Sequence, residues 1–158
     1  MSNLILVRHG QSVWNLENKF TGWVDVDLAE SGKLEAKKAG ELIKLNNISI
    51  DIYYSSFQIR AKNTLKLIQE ILDDAKVPNE AWQLNERHYG SLTGLNKDEM
   101  KLKLGEEKVH QFRRSWDLRP DPLDKKILTI LSILMPIKKY QLIKFQTQSH
   151  LKILMKEY

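Results

Sequence analysis

A run of four apolar residues, Leu4-Ile5-Leu6-Val7, passes without a spacer into Arg8-His9-Gly10. A short apolar run of this length reads as a buried strand, and the polar triplet at its C-terminal end is then delivered into the crevice where open α/β sheets bind ligands. The rest of the chain repeats the alternation. Thr21-Gly22-Trp23 and Asp25-Val26-Asp27 read as loop, and Ser31-Gly32 opens a helical segment to about Asn46 with apolar residues at Leu34, Ala39, Leu42 and Ile43. Ile50 to Ser55 predicts a second strand. Ser56 is a candidate cap for a helix from about Gln58 to Ala75, with Leu65, Ile68 and Leu72 on one face, and Pro78 closes the unit. Trp82 to Gly94 predicts a strand and loop, and a charged helix runs from about Lys97 to Ser115. Strands and helices alternating at these lengths predict an α/β domain whose sheet is mostly parallel.

The residue inventory narrows the chemistry. No cysteine is present, so disulfides and thiolate metal sites are excluded. The N-terminal apolar run is too short for a signal peptide or membrane span, which predicts a cytoplasmic protein without membrane partners. With 42% hydrophobic and 28% charged residues the chain has the make-up of a folded domain rather than a disordered one. A net charge of +5 admits nucleic acid, anionic lipid or phosphorylated small molecules as partners. The arginines sit singly or in one pair beside other reactive residues, not along a basic stripe, which favours a small phosphorylated ligand over nucleic acid.

Four segments carry that ligand chemistry. A neutral imidazole at His9 can attack phosphorus and hold the phosphoryl group as a phosphoramidate, provided cations offset the charge on the transferred oxygens. Arg8 is one such cation, Gly10 lets backbone approach the phosphate, and Ser12 and Asn15 follow closely. Alone, the triplet fits any histidine in a turn. Ser55-Ser56 followed by Arg60-Ala61 places a second arginine in the first turn of a helix, where backbone amides also favour an anion. Asn85-Glu86-Arg87-His88-Tyr89-Gly90 gathers an acid, a base and a phenol, so that Glu86 can act as general acid and base towards a substrate hydroxyl. Lys97 and the pair Arg113-Arg114 add cations suited to a ligand bearing both phosphate and carboxylate.

Taken together these segments resemble the cofactor-dependent phosphoglycerate mutase family of the histidine phosphatase superfamily. The resemblance spans about residues 3–124 and rests on Leu-Val-Arg-His-Gly-Gln-Ser at 6–12, Trp14-Asn15, Phe20-Thr21-Gly22-Trp23-Val24-Asp25, Leu84 to Gly90, Gly94-Leu95-Asn96-Lys97 and Phe112-Arg113-Arg114-Ser115. It implies a three-layer α/β sandwich, a mostly parallel sheet flanked by helices, incomplete at the C-terminus. It implies His9 as the residue phosphorylated by 2,3-bisphosphoglycerate and Glu86 as proton donor and acceptor. Arg8, Gly10, Gln11, Ser12, Asn15, Thr21, Gly22, Arg60, Arg87, His88, Tyr89, Lys97, Arg113 and Arg114 would hold phosphates and carboxylate. The implied reaction interconverts 3-phosphoglycerate and 2-phosphoglycerate, with no metal, and relatives imply a homodimer.

The resemblance stops near Pro120 to Pro122. Family members carry a second catalytic histidine in an Ala-His-Gly-Asn-Ser segment on a late, central strand. Of the four histidines here, His9 and His88 lie in matched motifs, His110 lies in the charged helix, and His150 has no glycine anywhere near it. From Ile127 the chain is dominated by Ile, Leu, Lys, Gln, Thr and Ser. The expected organisation is therefore a family-like domain at 1–124 and an unrelated tail at 125–158. Read one base earlier, codons allowed for Phe145 to His150 can spell Pro-Asn-Thr-Glu-Ser, and those for Leu151 to Tyr158 can continue as Phe-Lys-Asp-Thr-Tyr-Glu-Arg-Val, similar to the family's own helix. A frameshift after about Lys126 with early termination explains this, and a gene that no one-base change restores would exclude it. An evolved apolar segment at Ile127 to Ile137 is the alternative, weakened by Pro136. Three functional readings follow: a mutase, slowed by the missing histidine; a phosphatase of the same superfamily; or an inactive remnant that at most binds phosphometabolites.

Overall fold

The computed structural model describes residues 4–123. In chain order it contains α1 (Val13–Leu16), α2 (Glu30–Leu45), β1 (Tyr54–Ser55), α3 (Ile59–Leu72), β2 (Asn79–Glu80), α4 (Lys97–Leu104) and α5 (Glu106–Arg114), with single 3₁₀ turns at Trp82–Leu84 and Gly90–Leu92. β1 and β2 pair in parallel, Tyr54 opposite Asn79 and Ser55 opposite Glu80, and α3 is the crossover between them. The architecture is α/β, as the alternation predicts. The expected boundary at 124/125, the tail at 125–158 and His150 lie outside the described residues.

α2 and α3 pack against each other through small residues. α2 buries Gly32, Ala36, Gly40 and Ile43, while the predicted core residues Leu34 and Leu42 are 68% and 52% exposed. The reason is steric: a Cβ at Gly40 would lie 2.9 Å from Ile71 Cβ, so a leucine on that stripe would force the helices apart. α3 buries Arg60, Thr64 and Ile68, a stripe at spacing four that puts a cation and a hydroxyl on the inner face. Leu65 and Leu72 are half-buried beside it. A second core of Phe20, Tyr89, Leu92, Met100, Val109 and Phe112 joins the Thr21 loop to α4 and α5.

Several predicted elements take a different form. Leu4–Val7 is not in a strand and its side chains are 83%, 39%, 85% and 46% exposed. A strand exists only through its neighbours, and among the described residues none pairs with this segment. The second strand is confined to Tyr54–Ser55, because only those two residues meet β2. The Trp82 to Gly94 segment forms two 3₁₀ turns instead of a strand, and the strand precedes it at Asn79–Glu80. The long charged helix is two helices, broken at Gly105, whose φ of +89° terminates α4. α3 starts after Gln58 and ends at Asp73, itself left-handed at φ +53°. Ser56 accepts from the Gln58 amide at 3.3 Å but does not cap the helix. Among the described residues no helix is long and apolar enough to cross a membrane.

Candidate active site

The turn at His9-Gly10 is seated by close backbone contact. A Cβ on Gly10 would fall 2.1 Å from the Gly32 carbonyl oxygen, so the start of α2 touches the turn directly and only glycine fits. From the other side the Gly10 amide donates to Thr64 Oγ1 at 3.0 Å, and that hydroxyl donates to the Arg60 carbonyl at 2.8 Å. Two helices thus fix the backbone that carries the imidazole.

The ring's orientation follows. His9 Nδ1 donates to the Gly10 carbonyl at 2.7 Å, which leaves the lone pair on Nε2. Arg60 Nε donates to that Nε2 at 3.3 Å. Burial holds the imidazole below its ordinary pKa, and Arg60 and Arg8 add to the effect, while the Gly10 carbonyl and Glu86 pull the other way. A neutral ring with Nε2 unprotonated is the nucleophilic form.

Arg60 is fully buried and uses every face of its guanidinium. NH1 donates to the Val24 carbonyl at 3.0 Å, and NH2 donates to the Gly22 carbonyl at 2.8 Å and to Glu86 Oε2 at 2.9 Å. Burial lowers its pKa and Glu86 and Asp25 raise it. An arginine stays charged under such opposing pulls. One guanidinium therefore joins the candidate nucleophile to the candidate proton donor, whose side chain is 32% exposed to the cleft.

Around this pair two clefts of about 490 and 1520 Å³ share Arg8, His9, Asn15 and Lys97 along their walls. Gly10 and Gln11 line the smaller, and Thr21, Glu86, Tyr89, Arg113 and Arg114 line the larger. Burial together with Arg113 and Arg8 lowers the Lys97 pKa against the pull of Glu86 and Asp98. Burial and Glu86 raise the Tyr89 pKa against Arg113, Arg87 and Arg114. Thr21 is buried, and its hydroxyl has no partner among the described residues.

The remaining predicted residues support the site from behind. Ser12 is buried and forms a reciprocal cap with Asn15 at the start of α1. Gln11 donates its amide to Glu35 and accepts from the Ser31 hydroxyl. Gly22 gives its carbonyl to Arg60. Arg87 donates to the carbonyls of Phe112 and Ser115, closing the C-terminus of α5 and fixing Arg113 and Arg114. His88 Nδ1 accepts from the Gly90 amide, and its ring meets Trp23 edge-on. None of Ser12, Gly22, Arg87 and His88 lines either cleft. Sequence reasoning missed Thr64, Trp23 and Gln58. Trp23 Nε1 donates to the Glu86 carbonyl, and Gln58 bridges Gly22 and Glu86.

Comparison with known proteins gives this arrangement a family. The sequence profile of the histidine phosphatase superfamily (branch 1) matches residues 4–128. A curated 2,3-bisphosphoglycerate-dependent phosphoglycerate mutase from Pelagibacter ubique (strain HTCC1062) is 71% identical over 125 residues, which cover 79% of this chain and 52% of that protein. The chain thus spans about half the length of this relative. Among solved structures, a phosphoserine phosphatase from Entamoeba histolytica in complex with 3-phosphoglyceric acid is 26% identical, with a TM-score of 0.55 over 81% of this chain and 64% of the other. A mycobacterial glucosyl-3-phosphoglycerate phosphatase shares the fold, with 22% identity and a TM-score of 0.59 over 80% of this chain and 65% of the other. On its residues, its fold and the extent of the match, the chain belongs to the histidine phosphatase superfamily.

Proposed function

We propose that this site transfers phosphoryl groups through a phosphohistidine at His9, as a phosphoglycerate mutase that interconverts 3-phosphoglycerate and 2-phosphoglycerate. The observation that carries the reading is the contact of buried Arg60 with both His9 Nε2 and Glu86 Oε2. When bound, 2,3-bisphosphoglycerate supplies the phosphoryl group that primes the enzyme. The Thr21 hydroxyl, without a partner among the described residues, and the cations Arg8, Lys97, Arg113 and Arg114 are fitting donors for such an anion. His9 Nε2 forms the bond to phosphorus as the bond to the leaving oxygen breaks. As Nε2 attacks, Arg60 Nε releases the Nε2 lone pair, and the guanidinium, still fixed by the Gly22 and Val24 carbonyls, offsets charge on the transferred oxygens. Glu86 donates a proton to the departing hydroxyl oxygen and takes one back when the other hydroxyl attacks phosphohistidine. This reading carries with it a cytoplasmic enzyme that needs no metal.

The 158 residues contain no Ala-His-Gly-Asn-Ser segment, so turnover is expected ~10²–10³-fold below that of a relative that has it, the usual cost of losing one donor to transferred charge. Labelling with radioactive 2,3-bisphosphoglycerate tests the reading directly. Acid-labile, base-stable label on the wild type and none on His9→Ala is expected; equal labelling of the two would refute it. The phosphatase reading is favoured by the solved phosphatase structures alone and predicts phosphate release from 3-phosphoglycerate without 2-phosphoglycerate.

A further inference from the structure

We propose that Gln58 is a positioning residue for proton transfer at this site: its side-chain amide ties the Glu86 backbone to the Gly22 carbonyl and so keeps the Glu86 carboxylate against Arg60. The inference rests on the phosphohistidine reading above and deepens it.

Gln58 occupies the N-cap position of α3 and is 4% exposed, yet its side chain caps nothing in its own helix. It reaches instead to two segments far away in sequence. Nε2 donates to the Gly22 carbonyl at 2.7 Å, and Oε1 accepts from the Glu86 amide at 3.3 Å. The partners fix which end is which, because a carbonyl can only accept and a backbone amide can only donate. A hydrocarbon of the same length satisfies neither, and a hydroxyl at that position reaches one at most. The Gly22 carbonyl is also the acceptor of Arg60 NH2, so both of its lone pairs are used and the Gln58 bond helps aim the guanidinium.

Around Glu86 the restraints are few. Among the described residues its carboxylate hydrogen-bonds to Arg60, and it faces the cleft. Its backbone is held by Gln58 at the amide and by Trp23 at the carbonyl. Removing the Gln58 bond lets the Glu86 backbone turn and leaves the amide to find water, which loosens the carboxylate from Arg60. A purely structural buried glutamine predicts lost stability alone; a positioning residue predicts a loss that runs through the Glu86 carboxylate.

The experiment is a double-mutant cycle on the full chain with Gln58→Met, Glu86→Gln and both together. Methionine conserves volume, so packing is disturbed little. One readout is the titration of the His9 ring followed by NMR with isotopically labelled histidine. The charged groups acting on that ring are Arg60 and Arg8, which lower its pKa, and Glu86, which raises it alongside the larger effect of the Gly10 carbonyl. Gln58→Met is expected to move the midpoint down, as Glu86→Gln does, and the double variant is expected to move no further than Glu86→Gln alone. Additive shifts, or no shift from Gln58→Met, overturn the proposal. The second readout is the rate of His9 labelling against 2,3-bisphosphoglycerate concentration. A roughly 10-fold fall in maximal rate is expected, with half-saturation unchanged. A rise in half-saturation with the maximal rate kept overturns the proposal. If the wild type itself takes no label, the phosphohistidine reading falls, and the NMR cycle still decides whether Gln58 acts through Glu86.

Discussion

Replacing Arg60 by methionine separates what this residue does for catalysis from what it does for the fold. Four contacts end on its guanidinium, and their fates differ. The Gly22 carbonyl keeps Gln58 as a donor, so it is not orphaned. Glu86, 32% exposed, returns to water at a cost of about 0–1 kcal/mol. His9 is half-buried and can take a water at Nε2. The Val24 carbonyl keeps the Val26 amide as a donor at 3.1 Å, so it loses one of two bonds, at about 0.5–1.5 kcal/mol. Against these losses, methionine removes the desolvation of a buried cation, which often makes such replacements nearly neutral. The expected net destabilisation is therefore about 0–2 kcal/mol, read by urea unfolding with tryptophan fluorescence. Labelling of His9 should fall ~10²–10³-fold, since no other cation reaches Nε2 among the described residues. Labelling within two-fold of wild type would refute the assignment of Arg60 as the charge-offsetting group, whatever happens to stability.

Other outcomes follow from the same geometry. Both His9 and His88 have pKa values lowered by burial, so the unfolded chain binds more protons than the folded one below the ordinary histidine value. Their contribution to stability is therefore present above that value and is lost as pH falls through their folded values; urea midpoints should drop on acidification from pH 7.5 to 5.5, and His88→Phe should flatten that slope. Gly105→Ala meets no atom within 4 Å but must hold φ +89°, so it should cost about 1–2 kcal/mol by backbone strain alone and leave labelling at His9 unchanged. Arg87→Met removes the two donors that close α5, and should raise the half-saturating 3-phosphoglycerate concentration more than it lowers maximal rate in a coupled assay, because Arg113 and Arg114 lose their anchor. Inorganic phosphate at 100 times its dissociation constant should stabilise the fold by ~2.7 kcal/mol against urea, an effect that sodium chloride of equal ionic strength does not reproduce.

The chemistry of the site was more legible than its support. His9, Arg60 and Glu86 announce themselves because reactive residue types stand at loop and helix starts, and the part proposed for each rests on its own side chain. Gln58, Thr64 and Trp23 carry no such mark: an amide, a hydroxyl and an indole acquire meaning only from partners 28 to 63 residues away. The core was misread where hydrophobicity stood in for burial. In α2 the packing stripe is glycine and alanine because α3 approaches closely, so the leucines on that helix face outward. Leu4–Val7 shows the converse limit. Its pattern is that of a buried strand, but among the described residues nothing pairs with it, and a pattern states what a segment would suit and not whether a neighbour is there.

The charges in the larger cleft explain why an anion is needed to complete the site. Arg60 and Glu86 neutralise each other at 2.9 Å, so their pair contributes little to the field a ligand meets. What remains facing the cleft is Arg8, Lys97, Arg113 and Arg114, with Lys19, paired to Glu17, and Asp51 also on the wall; burial first, then Arg113 and Arg8, push the Lys97 pKa down, so Lys97 meets repulsion from those two arginines where it stands. Such repulsion is tolerated only because the helices and the Arg87 contacts hold the side chains in place, and it is relieved when negative charge enters. A ligand with one phosphate and one carboxylate brings about three negative charges at neutral pH, comparable to the positive charge waiting for it. A site whose cations were each paired within the protein would have to break those pairs to bind. Here Arg60 is paired with Glu86, and Arg8, Lys97, Arg113 and Arg114 are the cations that the proposed reading assigns to the ligand.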